Sequence, residues 1–180
     1  MTRFTPPDIA SLSPEQRAVY DATLAGRRGT VPANVLAWLP SPELAGRAAH
    51  LGEFVRYGTS LPPAQSELAI LVVARHWSCQ YEWAVHAVEA AKAGVTDLVI
   101  AAIADRRRPR LDGTAAVVFD VAGALVATGG VPTATFVAGD AALGRQGLVE
   151  LVGLVGYYTM VAMTLNAFAV PPPDGAPRLP

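Results

Sequence analysis

Apolar positions along this chain recur with helical spacing almost throughout, and the polar residues between them fall where helices begin and end. The first helix is predicted from Ser13 as N-cap, with Pro14 at the first helical position and Gln16 completing a capping-box pattern, and it stops near Gly26. Residues 27 to 40 hold Gly29, Pro32 and Pro40 and read as a partly buried irregular connection carrying Val35, Leu36 and Trp38. Ser41 and Pro42 then open a helix whose apolar stripe is Leu44, Ala48, Leu51 and Val55, ending before Gly58.

After Pro62 and Pro63 the stretch that begins at Glu67 is apolar all round, from Leu68 to Ala74, and predicts a buried helix. A break is expected near Ser78, which is read as the cap of a helix running through His86 and Ala90 to Gly94. Thr96 and Asp97 restart a helix through Ala104, Asp112 one that ends at Gly129 and Gly130, and Thr133 one that ends around Gly144. A long apolar helix from about Gln146 to Phe168 comes last, before a proline-rich tail, 171 to 180, expected to be extended or disordered. The pattern predicts an all-α, single-domain helical bundle over residues 1–180, with its core at about 39–170.

Composition changes this picture in one respect. Charged residues make up 16% of the chain, against about 25% in average soluble domains, so surface is expected to be buried in an oligomer. The net charge of -1 carries no general footprint for nucleic acid. The one basic cluster, Arg106, Arg107, Arg108 and Arg110, reads as a solvated connection. Residues 151 to 170 contain no charge and satisfy the length criterion for a membrane span. Thr159, Thr164 and Asn166 interrupt the run, no basic residue flanks it closely and three prolines follow it, so a buried core helix is preferred. The N-terminus holds no apolar run of secretory type, and a cytoplasmic location without membrane attachment is expected.

The candidate chemistry is concentrated in residues 67 to 86, ELAILVVARHWSCQYEWAVH, which include the single cysteine and two of the three histidines. Cys79, Glu82 and His86 sit at i, i+3 and i+7, so a thiol, a carboxyl and an imidazole stack on one helical face. His86 has the spacing either to accept the thiol proton or to donate to Glu82. A buried carboxyl and imidazole beside Trp83 and Val85 cost free energy unless paired, which favours a functional role for both. One cysteine allows no internal disulfide, and the set matches no familiar zinc spacing, so no metal is expected. Arg56, Arg75, His76, Trp77 and Trp83 are candidates for substrate contacts or pocket walls.

Glu67, Cys79 twelve residues on, Glu82 three further and His86 four further resemble the Glu, CxxC, His signature of the carboxymuconolactone decarboxylase and alkylhydroperoxidase D-like family. Tyr81 has the position of that family's active-site tyrosine, and Glu82 stands where the peroxidase branch has its second cysteine. The similarity extends from about Leu39 to Val170, through SPELAGRAAHLGEF, ELAILVVARHW, QYEWAVH, KAGV and LVELVGLVGYY, toward longer members that lack the CxxC pair. The resemblance implies a cofactor-free lyase working by proton transfer on a small organic acid or lactone. In that reading His86 and Glu82 move protons, Glu67 positions or relays, and Tyr81 gives a hydrogen bond. It also implies a homotrimer or homohexamer. Two alternatives are a thiol peroxidase that uses Cys79 alone, and a non-catalytic oligomeric small-molecule binder.

Overall fold

The structure, a computed structural model, describes residues 2–180 and contains helices and connections without strands among them. After a 3-10 turn at Ile9–Ser11, the helices are α1 (Pro14–Ala25), α2 (Ala33–Trp38), α3 (Pro42–Tyr57), α4 (Pro63–His76), α5 (Gln80–Lys92), α6 (Asp97–Ala104), α7 (Gly113–Thr128) and α8 (Thr133–Ala167). The capping box at Ser13 and Gln16 is formed, and the Thr96 hydroxyl accepts from Val99 N–H. α8 contains the expected break, since Gly144 at φ 68° and ψ 167° leaves helical geometry and re-aims the chain.

α4 is the axis of the bundle. Every residue from Ser66 to Ala74 is buried, and the helix packs against α5, α7 and α8. α7 and α8 pair on one flank, while α1, α2 and α3 cover another, with α2 and α3 both reaching α8. α8 is long and apolar enough to cross a bilayer, yet 56% of its most apolar stretch is buried, and Leu148, Leu151, Leu154, Tyr158 and Val161 join the core.

Four local readings are corrected. The connection expected after Gly26 contains α2, whose Asn34, Val35 and Trp38 are buried. On α3 the inward residues are Ala45, Ala48, Gly52 and Val55, whereas Leu44 and Leu51 are nearly half exposed. At position 52 only glycine fits because Tyr157 presses on the helix there: a Cβ at Gly52 would lie 2.1 Å from the Tyr157 hydroxyl. Ser78 does not cap α5. With φ of 49° it ends α4 in the left-handed region, and Ser78 N–H and Cys79 N–H donate back to Arg75 and Ala74 carbonyls. Cys79 therefore takes the N-cap position of α5. The tail is extended but docked, because Leu179 is buried and its N–H and C=O both pair with the Gln80 amide, at 3.0 and 3.1 Å.

Candidate functional site

The tight α4–α5 connection sets these two helices side by side, so Glu67 near the start of α4 faces His86 one helix away. His86 Nδ1 lies 2.7 Å from Glu67 Oε2, with both side chains buried. The Nδ1–H donates to the carboxylate, which leaves the lone pair on Nε2. Arg56 of α3 closes the group, with Nη1 3.7 Å from Glu67 Oε1 and 3.4 and 3.5 Å from the two ring nitrogens of His86. Its Nη2 reaches Glu89 Oε2 at 3.5 Å and its Nε donates to the Tyr57 hydroxyl at 3.0 Å. The Tyr158 ring meets the imidazole edge to face at 5.1 Å.

Charge is distributed unevenly over this cluster. Burial pushes His86 below its ordinary range, the Glu67 contact works upward against it, and the Arg56 charge adds to the depression. His86 is thereby held neutral. Burial opposes the charge on Arg56, but Tyr158 and Glu67 outweigh it and raise the guanidinium above its ordinary value.

Glu82 stands apart. It is 2% exposed, and neither of its carboxyl oxygens has a hydrogen-bond partner among the described residues. As the third residue of α5 it sits in a turn that favours an anion by about 0.3–1 kcal/mol. An unpaired buried charge costs several kcal/mol. Burial therefore wins, and the carboxyl is driven well above its usual range, into the neutral form.

Glu82 and His86 line one cavity of about 760 Å³ that opens between α1, α3 and the 26–32 connection. Its inner walls are Val35, Val85, Val161 and Leu165, with Tyr81, Tyr157 and Asn34 as polar edges. The size suits a small organic ligand.

Sequence-predicted residues separate into two groups. Tyr81, Glu82, His86 and Arg56 line the cavity, and Glu67 stands behind His86. Arg56 is a partner of Glu67 and His86, its side chain only 11% exposed. Cys79 is fully buried in the apolar core and does not line the cavity; burial first, then Glu82, pushes its thiol up to about 12. Arg75, His76 and Trp77 lie at the far end of α4: Arg75 donates to Ala104 O at 2.6 Å, and Trp77 Nε1 to Thr159 Oγ1 at 3.4 Å. Trp83 is a core residue away from the cavity. These four do not contact the cavity because they project from the opposite end of α4 or the core face of α5.

Neither expected partner of His86 on its own helix, the Cys79 thiol or Glu82, is engaged; His86 pairs with Glu67 across two helices instead. Tyr157, Tyr158, Asn34 and Arg28 are cavity residues that sequence reasoning missed, and the exposed His50 also lines the cavity. The one signal for the tyrosines was two adjacent hydroxyl-bearing rings inside an uncharged run.

The all-helical bundle that carries this site has a fold of the alkylhydroperoxidase core type. Two solved structures share it: an alkylhydroperoxidase AhpD core described as an uncharacterized peroxidase-related protein from Ralstonia eutropha JMP134 (TM-score 0.77, 16% identity, covering 96% of this chain and 93% of that one), and an uncharacterized peroxidase-related protein from Silicibacter sp. TM1040 (TM-score 0.77, 17% identity, 96% and 92%). Residues 42–125 match the model of the carboxymuconolactone decarboxylase family. No curated protein matches the sequence.

Proposed function

We propose that this protein is an enzyme that moves protons without a cofactor, acting on a small organic acid or lactone by decarboxylation or a closely related reaction. The observation that carries the proposal is Glu82, a carboxyl without a hydrogen-bond partner among the described residues, buried in the wall of a ligand-sized cavity where burial favours its protonated form. Such a group is an acid awaiting an acceptor. His86, one turn on, is pushed the opposite way and is neutral, so acid and base coexist at neutral pH.

For decarboxylation the carbon–carbon bond to the substrate carboxylate breaks and carbon dioxide departs. The electron pair enters the neighbouring carbonyl as an enolate, and Glu82 delivers its proton to the carbon, recovering one from water afterwards. In a proton-shift variant His86 Nε2 removes the α-proton first. Tyr81 and Tyr157, which line the same cavity, are the candidate donors to the developing oxyanion. Each proton transfer contributes roughly 100- to 10,000-fold.

Support for this reading over a thiol peroxidase comes from Cys79. Its thiol is sealed in the core with its pKa raised to about 12, the reverse of an activated nucleophile. The chain holds no second cysteine to resolve a sulfenic acid.

The test is a parallel assay of wild type, Cys79→Ser and Glu82→Gln on carboxylated lactones, and on organic hydroperoxides with dithiothreitol. Lactone turnover that survives Cys79→Ser and disappears with Glu82→Gln is expected. Peroxide turnover abolished by Cys79→Ser would overturn the proposal.

A further inference from the structure

Three arginines line the cavity, and two are already committed. Arg27 donates its backbone N–H to Glu53 Oε1 at 3.1 Å and its Nη1 to Tyr57 O at 2.9 Å, and its guanidinium lies 5.3 Å from the Tyr57 ring. Arg56 is held by Glu67, Glu89 and Tyr57. Arg28 makes no ion pair or hydrogen bond among the described residues, although it lines the same cavity. Its charge nevertheless acts on Tyr81, His86, Tyr157 and Tyr158, which surround the inner chamber.

The cavity's carboxylates leave that cation unopposed. Glu53 is turned to the Arg27 backbone, Glu89 is shared between Arg56 and Lys92, and Glu82 is neutral. From the unpartnered guanidinium that shares one cavity with the acid and the base, we infer that Arg28 anchors the carboxylate of a small organic anion and thereby selects acids over their neutral analogues. The apolar body lies along Val35, Val85, Val161 and Leu165. The carboxylate held by Arg28 is a recognition group that the reaction leaves in place. This inference rests on the acid/base reading only for where the reacting carbon is placed.

Binding, measured by calorimetry, tests it without any need for turnover. The probes are a γ-lactone carboxylate and hexanoate, each paired with its methyl ester, on wild type, Arg28→Gln, Arg28→Lys and Glu82→Gln. Arg28 is exposed in a connection, so its variants are expected to fold, and circular dichroism checks this. A charge-assisted guanidinium contact gives the wild type a preference of about tenfold or more for acid over ester. Arg28→Gln brings the two to near parity, Arg28→Lys restores part of the preference, and Glu82→Gln keeps it. No acid preference in wild type, or a preference unchanged in Arg28→Gln, overturns the inference. Acid preference that depends on Arg28 in a protein that turns over no lactone retires the acid/base reading and leaves Arg28 standing. Turnover that needs Glu82 but treats acid and ester alike does the reverse.

Discussion

His86 Nδ1 and Glu67 Oε2 lie 2.7 Å apart across the α4–α5 pair, and Arg56 bears on both. Because Glu67 raises the affinity of His86 for a proton and Arg56 lowers it, the two partners are separable by substitution. Glu67→Gln is expected to move the His86 titration further down and Arg56→Met to move it up. Nuclear magnetic resonance of the ring carbons reads both directions, and movement the same way in both variants would refute the arrangement.

The same depression of His86, set beside the raised Glu82, shapes the pH profile of activity. The base must be neutral and the acid protonated, so the rate is expected to fall at low pH with the depressed His86 and at high pH with the raised Glu82, leaving a broad neutral plateau. Rate measurements for Glu82→Asp and wild type check the alkaline limb. That limb should move if Glu82 is the acid.

Glu82 also links stability to pH. Below the ordinary carboxyl value of 4.5 both folded and unfolded chains carry the proton, and no penalty exists. As pH rises above it the unfolded chain ionises while the folded one stays protonated, so stability falls with pH until the raised folded value is passed. Glu82→Gln lacks this loss, and the stability of the variant relative to wild type should rise from pH 4.5 toward neutrality. Urea unfolding across that range measures it, and a constant difference would show that Glu82 is charged in the fold.

Cys79 is expected to resist thiol reagents in the native protein and to react once the chain is unfolded, since it is fully buried and its thiol holds its proton. Cys79→Ala should cost about 1 kcal/mol as a small core cavity and leave lactone turnover within a factor of a few. Rapid labelling of native protein would contradict this placement.

Gly52→Ala tests how α3 meets α8. The new Cβ would lie 2.1 Å from the Tyr157 hydroxyl, and that ring is confined by Trp38 and Tyr158 at 6.4 and 5.4 Å. Overpacking of this kind costs about 1–3 kcal/mol, more than the gain in helix propensity. Thermal unfolding should show a lower midpoint, and an unchanged or raised one would mean that Tyr157 moves freely.

Much of this architecture was legible because helices are written locally. Ser13, Pro14 and Gln16 announce α1 within four residues, Thr96 caps α6 with its own hydroxyl, and Gly144 breaks α8 by its backbone freedom. Where the reading failed, the deciding atoms were far along the chain. Prolines and a glycine disguised α2, whose burial comes from contact with α3 and α8. Leucines suggested the inner face of α3, but that face is Ala45, Ala48, Gly52 and Val55, and Tyr157, more than a hundred positions on, leaves room only for glycine at position 52.

The amino-acid sequence by itself determined an all-helical chain and the presence of Glu67, Glu82 and His86 in it, because capping and amphipathic period act over a few residues. Tertiary structure decided who partners whom: His86 with Glu67 across two helices, Arg56 against both, Cys79 shut in the core, Glu82 left alone in a cavity with Tyr157 and Arg28. Spacing along one helix specifies which side chains share a face, but only the packing of helices distant in the chain specifies what that face meets.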